Sequence, residues 1–230
     1  MSEKPFITAI IAAAGSSSRM NGINKLLFEI DSMPVIAHTI DKFNKNESIS
    51  EIVISARSAD VEIIKQIVIR YNFSKVVAIV DGGDTRAQSV QNSVSASSDK
   101  TEYFAIHDGA RPFITPRVID ETIKNAIIHR AAAAGVPVKD TIKVVNNGFI
   151  ESTPERSMLW AVHTPQVFER NLYLEAIAGS KDCKREITDD SMLVEMLGVK
   201  VFMVKDEYSN IKITTPDDLS IAEQYIKGDN

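Results

Sequence analysis

The sequence predicts an α/β fold: a mostly parallel sheet with helices on both faces, carrying a protruding β-arm. Three observations support that expectation. Apolar, β-branched runs alternate with segments whose apolar residues fall at helical spacing. The connections between them are short and polar, and strands alternating with helices in this way build parallel sheets covered on both faces. After Pro137 the alternation breaks, and a hairpin pattern takes its place.

Taken in order, the first strand is Ile7-Thr8-Ala9-Ile10-Ile11-Ala12, running into small residues and a glycine at Ala13-Ala14-Gly15. Pro34 to Phe43 reads as a helix, with proline suited to its first turn. Glu51 to Ala56 is a strand, Ala59 to Tyr71 an amphipathic helix, and Val76 to Val80 another buried strand. A helix follows from about Thr85 to Ala96, then a strand at Tyr103 to His107. Pro116 to His129 is helical and Ala131 to Val136 extended. Thr141 to Val145 and Phe149 to Ser152 flank Asn146-Asn147-Gly148, a hairpin with an Asn-Gly turn. Arg170 to Ala178 and Asp189 to Leu197 look helical, and Lys200 to Val204 is a strand. Pro216 to Ile226 closes the chain as a helix, with Thr215 placed to cap it. No repeat, low-complexity tract or linker divides the chain. The expectation is one Rossmann-like domain over 1–230, with an arm inserted at about 138–160 for dimerisation.

Composition narrows the classes. With 230 residues, 44% hydrophobic and 25% charged, the chain matches an ordinary globular protein with a sizeable core. A net charge of −5 gives no general electrostatic reason to bind nucleic acid or an anionic membrane. Anionic ligands must be held by local basic clusters. Cys183 is the sole cysteine, so no intrachain disulfide or cysteine-rich metal site forms, and beside Lys184 and Arg185 it reads as an ordinary thiol. No signal peptide is expected, and no apolar stretch approaches the ~20 residues of a membrane span. A cytoplasmic location is the expectation.

Chemistry gathers where strands end. In open parallel sheets ligands bind beyond the carboxyl ends of the strands, so clusters at those ends should converge. The first runs from Ala13 through Arg19 to Lys25, where small residues let backbone N–H groups approach phosphate oxygens and two cations add charge. It is neither a Walker loop nor the G-x-G-x-x-G dinucleotide fingerprint. The second, Asp81-Gly82-Gly83-Asp84-Thr85-Arg86-Ala87-Gln88-Ser89, frees the backbone and sets Arg86 and Ser89 one helical turn apart; taken alone it also fits a turn and helix cap. The third is His107-Asp108-Gly109-Ala110-Arg111-Pro112. An aspartate at a strand end suits Mg²⁺, which takes one or two carboxylates plus phosphate oxygens and water, though a local turn hydrogen bond is the plainer use. Together they suit nucleoside triphosphate chemistry. No G-x-S-x-G elbow or Ser–His pair points to a hydrolase.

These clusters stand in order with further motifs: Val138-Lys139-Asp140-Thr141, Glu155-Arg156 with Leu159-Trp160, Thr164-Pro165-Gln166, Thr188-Asp189-Asp190, and Asn210-Ile211-Lys212 running to Pro216-Asp217-Asp218-Leu219. From about Ile7 to Ile226 the chain resembles the 2-C-methyl-D-erythritol 4-phosphate cytidylyltransferases of the non-mevalonate isoprenoid pathway. The resemblance implies CTP and methylerythritol phosphate as substrates, Mg²⁺ or another divalent cation, and a homodimer through the arm. Ala13, Ala14, Gly15, Arg19 and Lys25 would hold the triphosphate, with Lys212 at the α-phosphate. Gly82, Arg86 and Ser89 would shape the cytosine pocket. Asp108 would hold the metal near the ribose, beside Gly109. Arg111, Thr141, Arg156 and Thr164 would bind the sugar phosphate, Thr141 and Arg156 coming from the partner's arm. Asn24 and Ser17 depart from the commonest form, where many members have proline and glycine, and should alter loop stiffness more than charge.

Ribitol-5-phosphate cytidylyltransferase is the neighbouring alternative, and a nucleotide-binding module without catalysis the distant one. Trp160 and Leu159 are expected to pack the base of the arm, and His107 to be buried at its strand end. Asp189 and Asp190 should cap a helix, and Asp217 and Asp218 should serve as first-turn charges.

Overall fold

The computed structural model describes residues 4–15, 24–180 and 187–228. Strands β1 (Ile7–Ala13), β4 (Glu51–Ala56), β5 (Val76–Asp81), β6 (Tyr103–Asp108), β7 (Ala131–Pro137), β10 (Trp160–Glu169) and β11 (Phe202–Lys205) form one sheet. Their order is β11-β7-β10-β6-β1-β4-β5. The pairs β1–β4, β1–β6, β4–β5 and β7–β11 are parallel, and β10 alone runs antiparallel, between β6 and β7. The chain builds outward from β1 through β4 to β5, then returns to place β6 on the other side of β1. Reversals of this kind open a crevice at the carboxyl edge. Two-residue strands β2 (Glu29–Ile30) and β3 (Met33–Pro34) pair separately near the start.

Alternation along β1 explains the two layers. Ile7, Ala9, Ile11 and Ala13 face one way and Ile10 the other, because strand side chains alternate with period two. The first face packs against α1 (Val35–Lys45), α2 (Val61–Arg70), α4 (Pro116–His129) and α7 (Pro216–Gly228), through residues such as Ile36, Phe43, Ile64, Ile119 and Leu219. The second packs against α3 (Arg86–Ser95), α5 (Arg170–Gly179) and α6 (Asp190–Glu195), through Val90, Leu172, Tyr173 and Leu193.

Several details differ from expectation. β10 was not expected. Its polar centre, His163-Thr164-Pro165-Gln166, looks like a loop, and the ladder to β7 shifts register between Val162 and Gln166. Proline is ordinarily confined to bulges and edges, so its presence hides a central strand. β5 was expected to be buried but is an edge strand, with Val77 57% exposed. Pro34 precedes α1 instead of entering its first turn, and a 3₁₀ turn over Ser58–Asp60 leads into α2. Thr215 stands before α7, and its carbonyl accepts from Asp218 N–H at 3.2 Å. Asp218 reaches back and accepts from the backbone N–H and hydroxyl of both Thr214 and Thr215.

The hairpin forms as β8 (Val144–Asn146) and β9 (Phe149–Ser152), which pair only with each other and are exposed throughout. Asn147 and Gly148 both have positive φ, 49° and 83°, the geometry of a type I′ turn. Thr141 to Lys143 lie outside the ladder.

Phe43 shows how the core positions the site. It is fully buried on α1, and its ring lies 4.8 Å from that of His107 at the end of β6. Phe43→Ala is expected to destabilise the fold by about 3–5 kcal/mol, the usual cost of such a cavity. Guanidinium denaturation measures it, and a loss below about 1 kcal/mol would contradict the packing described.

Candidate active site

At the carboxyl edge of the sheet a cleft of about 360 Å³ opens above β1 and β6. Ala14, Gly15, Lys25, Arg86, Ser89, Asp108 and Lys212 line it, so all three strand-end clusters converge there as expected. Gly83, Asp84, Thr85, Ala110 and Thr214 line it too. Arg19 and Cys183 lie outside the described residues.

Local chemistry explains each position. Lys25 sits in a turn built by Asn24, whose carbonyl accepts from Leu27 and Phe28 N–H and whose side chain bonds Leu26 N–H and Asp60. Asn24 therefore ties the lysine turn to α2's approach. Gly82 does not line the cleft. A Cβ there would stand 2.2 Å from Ala14 Cβ, so this glycine lets the first and second clusters touch. Ser89 is buried, and its hydroxyl donates to Thr85 O at 2.9 Å and accepts from Gly83 N–H at 3.1 Å. It shapes the Gly83 loop from beneath. Thr85 caps α3 by accepting from Gln88 N–H, as its type and position predict.

Asp108 is 7% exposed, and Lys212, Arg111 and Arg86 gather around it. Lys212 Nζ lies 2.8 Å from Oδ2, Arg111 Nε 3.5 Å from Oδ2, and Arg86 Nε 3.5 Å from Oδ1. Burial works to raise its pKa, but Lys212, Arg86 and Arg111 outweigh burial and hold the carboxyl ionised, well below the usual carboxylate range. Arg86 moves the other way: burial disfavours its charge, yet Asp190 and Asp108 raise its pKa. Burial lowers the pKa of Arg111 despite Asp108.

Behind this carboxylate runs a chain of hydrogen bonds from β6 to β10. Asp108 N–H donates to Thr164 Oγ1 at 3.1 Å, and that hydroxyl lies 3.0 Å from His107 Nδ1. His107 Nε2 lies 3.1 Å from Arg111 O, which can only accept. The ring is therefore the Nε2–H tautomer, with Thr164 donating to Nδ1. His107 is buried at its strand end, as expected.

The remaining expected residues divide. Ala13 is buried within β1, and Gly109 serves packing, since a Cβ there would stand 2.9 Å from Ile36 Cδ1. Arg111 and Thr164, expected to contact substrate, are buried and engaged with Asn210 O and Asp108 N–H, and neither lines this cleft. Thr141 and Arg156 lie on the exposed segment around the hairpin, with Arg156 donating to Lys139 O. Asp189 caps α6 by accepting from Met192 N–H, but Asp190 does not share that role. It is fully buried and pairs with Arg86 and the Tyr173 hydroxyl. Sequence reasoning also missed Gln166, whose Oε1 accepts from Asp190 and Ser191 N–H. A glutamine directly after a strand's proline is a faint signal, because Gln is rarely buried.

A family model for IspD, 2-C-methyl-D-erythritol 4-phosphate cytidylyltransferase, matches residues 7–228. The chain belongs to this family. It is 45% identical over 221 residues to the 2-C-methyl-D-erythritol 4-phosphate cytidylyltransferase of Clostridioides difficile strain 630, covering 95% of this chain and 93% of that protein. It is 44% identical over 224 residues to the protein of that name from Caldanaerobacter subterraneus subsp. tengcongensis, covering 96% and 99%. Its structure resembles that of 4-diphosphocytidyl-2C-methyl-D-erythritol synthase from Anaerococcus prevotii, with a TM-score of 0.88, 32% identity and 97% of each chain covered.

Metal ligation in this family member would fall to Asp108. Among the described residues no group of three or more His, Cys, Asp or Glu gathers. One ionised carboxylate at the cleft fits a hard cation that takes its other ligands from phosphate and water, as Mg²⁺ does.

The buried imidazole sets a pH dependence. Burial lowers the pKa of His107 to about 4 from 6.5, so between these values the unfolded chain binds more protons and stability falls as pH falls. That window lies above the one in which carboxylates such as Asp108 titrate. Between pH 7 and pH 4 the wild type should lose about 3 kcal/mol more stability than His107→Gln, which lacks the imidazole. Parallel profiles in guanidinium titrations would contradict the assignment.

Proposed function

We propose that this chain transfers CMP from CTP to 2-C-methyl-D-erythritol 4-phosphate, giving 4-diphosphocytidyl-2-C-methyl-D-erythritol and pyrophosphate. The family match over 7–228 carries this reading, and the cleft supports it. A phosphate oxygen of the acceptor attacks the α-phosphorus of CTP in line, the new P–O bond forms, and the bond to pyrophosphate breaks. A phosphate monoester is already anionic at neutral pH, so no strong general base is needed. The difficulty lies in bringing two anions together and stabilising charge at the α-phosphate.

Lys25, Arg19 and Lys212 meet that difficulty with positive charge, and the backbone of Ala14 and Gly15 approaches the triphosphate. Arg86, Ser89 and the Gly83 loop enclose the base, with Gly82 letting that loop close on Ala14. Asp108 would hold Mg²⁺, which supplies charge neutralisation to the phosphates. Thr164 and Arg111 act through Asp108, holding its backbone and keeping its carboxylate ionised. Thr141 and Arg156 reach a partner's cleft from the arm. Exposed Phe149, Ile150 and Met158 on and beside the hairpin support that arrangement, since a patch of this kind favours a second copy. Sedimentation as a monomer at micromolar concentration would remove the arm's role. No helix among the described residues is long and apolar enough to cross a membrane, and one cysteine in 230 residues suits a cytoplasmic enzyme.

Pyrophosphate release with CTP and either polyol phosphate tests the reading. Methylerythritol phosphate should be strongly preferred, and preference for ribitol 5-phosphate would overturn it. Lys25→Ala and Lys212→Ala should each lower turnover by at least ~100-fold at saturating substrates while the fold persists, as expected when one electrostatic donor is removed. Near-normal turnover would remove that residue from the chemistry.

A further inference from the structure

Both arginines beside Asp108 make their short bond to another group. Arg86 Nη1 lies 2.5 Å from Asp190 Oδ2, while its Nε stays 3.5 Å from Asp108 Oδ1. Arg111 Nη1 donates to Asn210 O at 2.8 Å, while its Nε stays 3.5 Å from Asp108 Oδ2. Lys212, with a side chain 38% exposed, bonds Asp108 closely, at 2.8 Å.

Asp190 is itself fixed. Its side chain is 1% exposed, and Oδ1 accepts from the Tyr173 hydroxyl at 2.6 Å. Its backbone N–H donates to Gln166 Oε1 at 3.0 Å. Burial first, and then Asp190, push the Tyr173 pKa well up, so the phenol remains a donor. The network joins α5, α6, β10 and the start of α3. A buried ion pair is weak evidence for stability, because desolvation offsets its attraction. What a fully satisfied network does is fix one geometry.

We propose that Asp190 is a positioning residue that holds Arg86 back from Asp108, keeping a lone pair of Asp108 open for a divalent cation. At 3.5 Å a guanidinium still favours the ionised carboxylate, but a charge-assisted bond at ~2.8 Å would occupy its oxygen. With the charge of Asp190 removed, Arg86 has one carboxylate left and closes on it. Asp108 then holds a guanidinium where it should hold a metal. The inference rests on the functional reading above, in which Asp108 is the metal ligand.

Asp190→Asn is nearly isosteric and tests this. Mn²⁺ binding is followed by electron paramagnetic resonance of the free ion, in the presence of a non-hydrolysable CTP analogue. The variant should bind Mn²⁺ ~10-fold more weakly, as expected when an arginine competes for the ligand oxygen. The half-saturating Mg²⁺ in pyrophosphate release should rise in parallel, and kcat at saturating Mg²⁺ should recover to within about threefold. Adding Arg86→Gln should restore Mn²⁺ affinity when the analogue is held at a concentration that saturates each variant, a rescue that a merely structural role would not give. Tyr173→Phe loosens Asp190 without removing its charge and should weaken Mn²⁺ about threefold, which keeps the test open if Asp190→Asn does not fold. Unchanged Mn²⁺ affinity in the folded variants, or a turnover loss that no Mg²⁺ concentration restores, would overturn the inference. Pyrophosphate release by the wild-type chain is measured alongside, so failure of the functional reading and failure of this inference are separate results.

Discussion

A carboxylate kept ionised while almost wholly buried is the constraint on which the rest of the structure depends. Removing Asp108 from water carries a penalty of several kcal/mol, which only close, well-placed cations can offset. Those cations come from three places far apart in sequence: Arg86 at the start of α3, Arg111 just after β6, and Lys212 shortly before α7. The parallel sheet brings them together, because the carboxyl ends of β1, β4, β5 and β6 share one edge. The segment after β11 returns to that edge: Ile213 N–H donates to Ala110 O, and Arg111 grips Asn210 O.

The three cations are not equivalent. The two guanidiniums are tethered elsewhere and supply field without covering the carboxylate. Lys212 is half exposed, on a flexible stem, and covers it closely. That gradation suits a site which must exchange one protein cation for ligand charge while the surrounding wall stays fixed. Thr164 and His107 serve the same end from behind, fixing the backbone of Asp108 with hydrogen bonds whose directions are set by a neutral ring.

Much of this was legible in the sequence, and what was missed has physical causes. Strand and helix positions followed from apolar period, and the helix read over Pro116 to His129 has those bounds in the structure. Strand-end clusters carried the cleft, since chain direction alone puts such ends together in a parallel sheet. β10 was illegible because Pro165 and the polar residues around it mimic a loop. Residue type also conceals the partner. Asp189 and Asp190 read alike, yet one caps a helix and the other meets Arg86, 104 positions away in sequence. Gly82 and Gly109 look like ligand-approach glycines but admit Ala14 and Ile36 respectively. Thr164 and Arg111 carry ligand-binding chemistry, and only the structure shows that both are buried and bonded to protein groups.

The account turns on Lys212 leaving Asp108 when charge enters the cleft. A crystal structure of the chain with CTP and Mg²⁺ measures this directly. The account predicts that Lys212 Nζ moves from Asp108 to a phosphate oxygen while Arg86 remains on Asp190. Bound CTP with Lys212 still paired to Asp108 would contradict it.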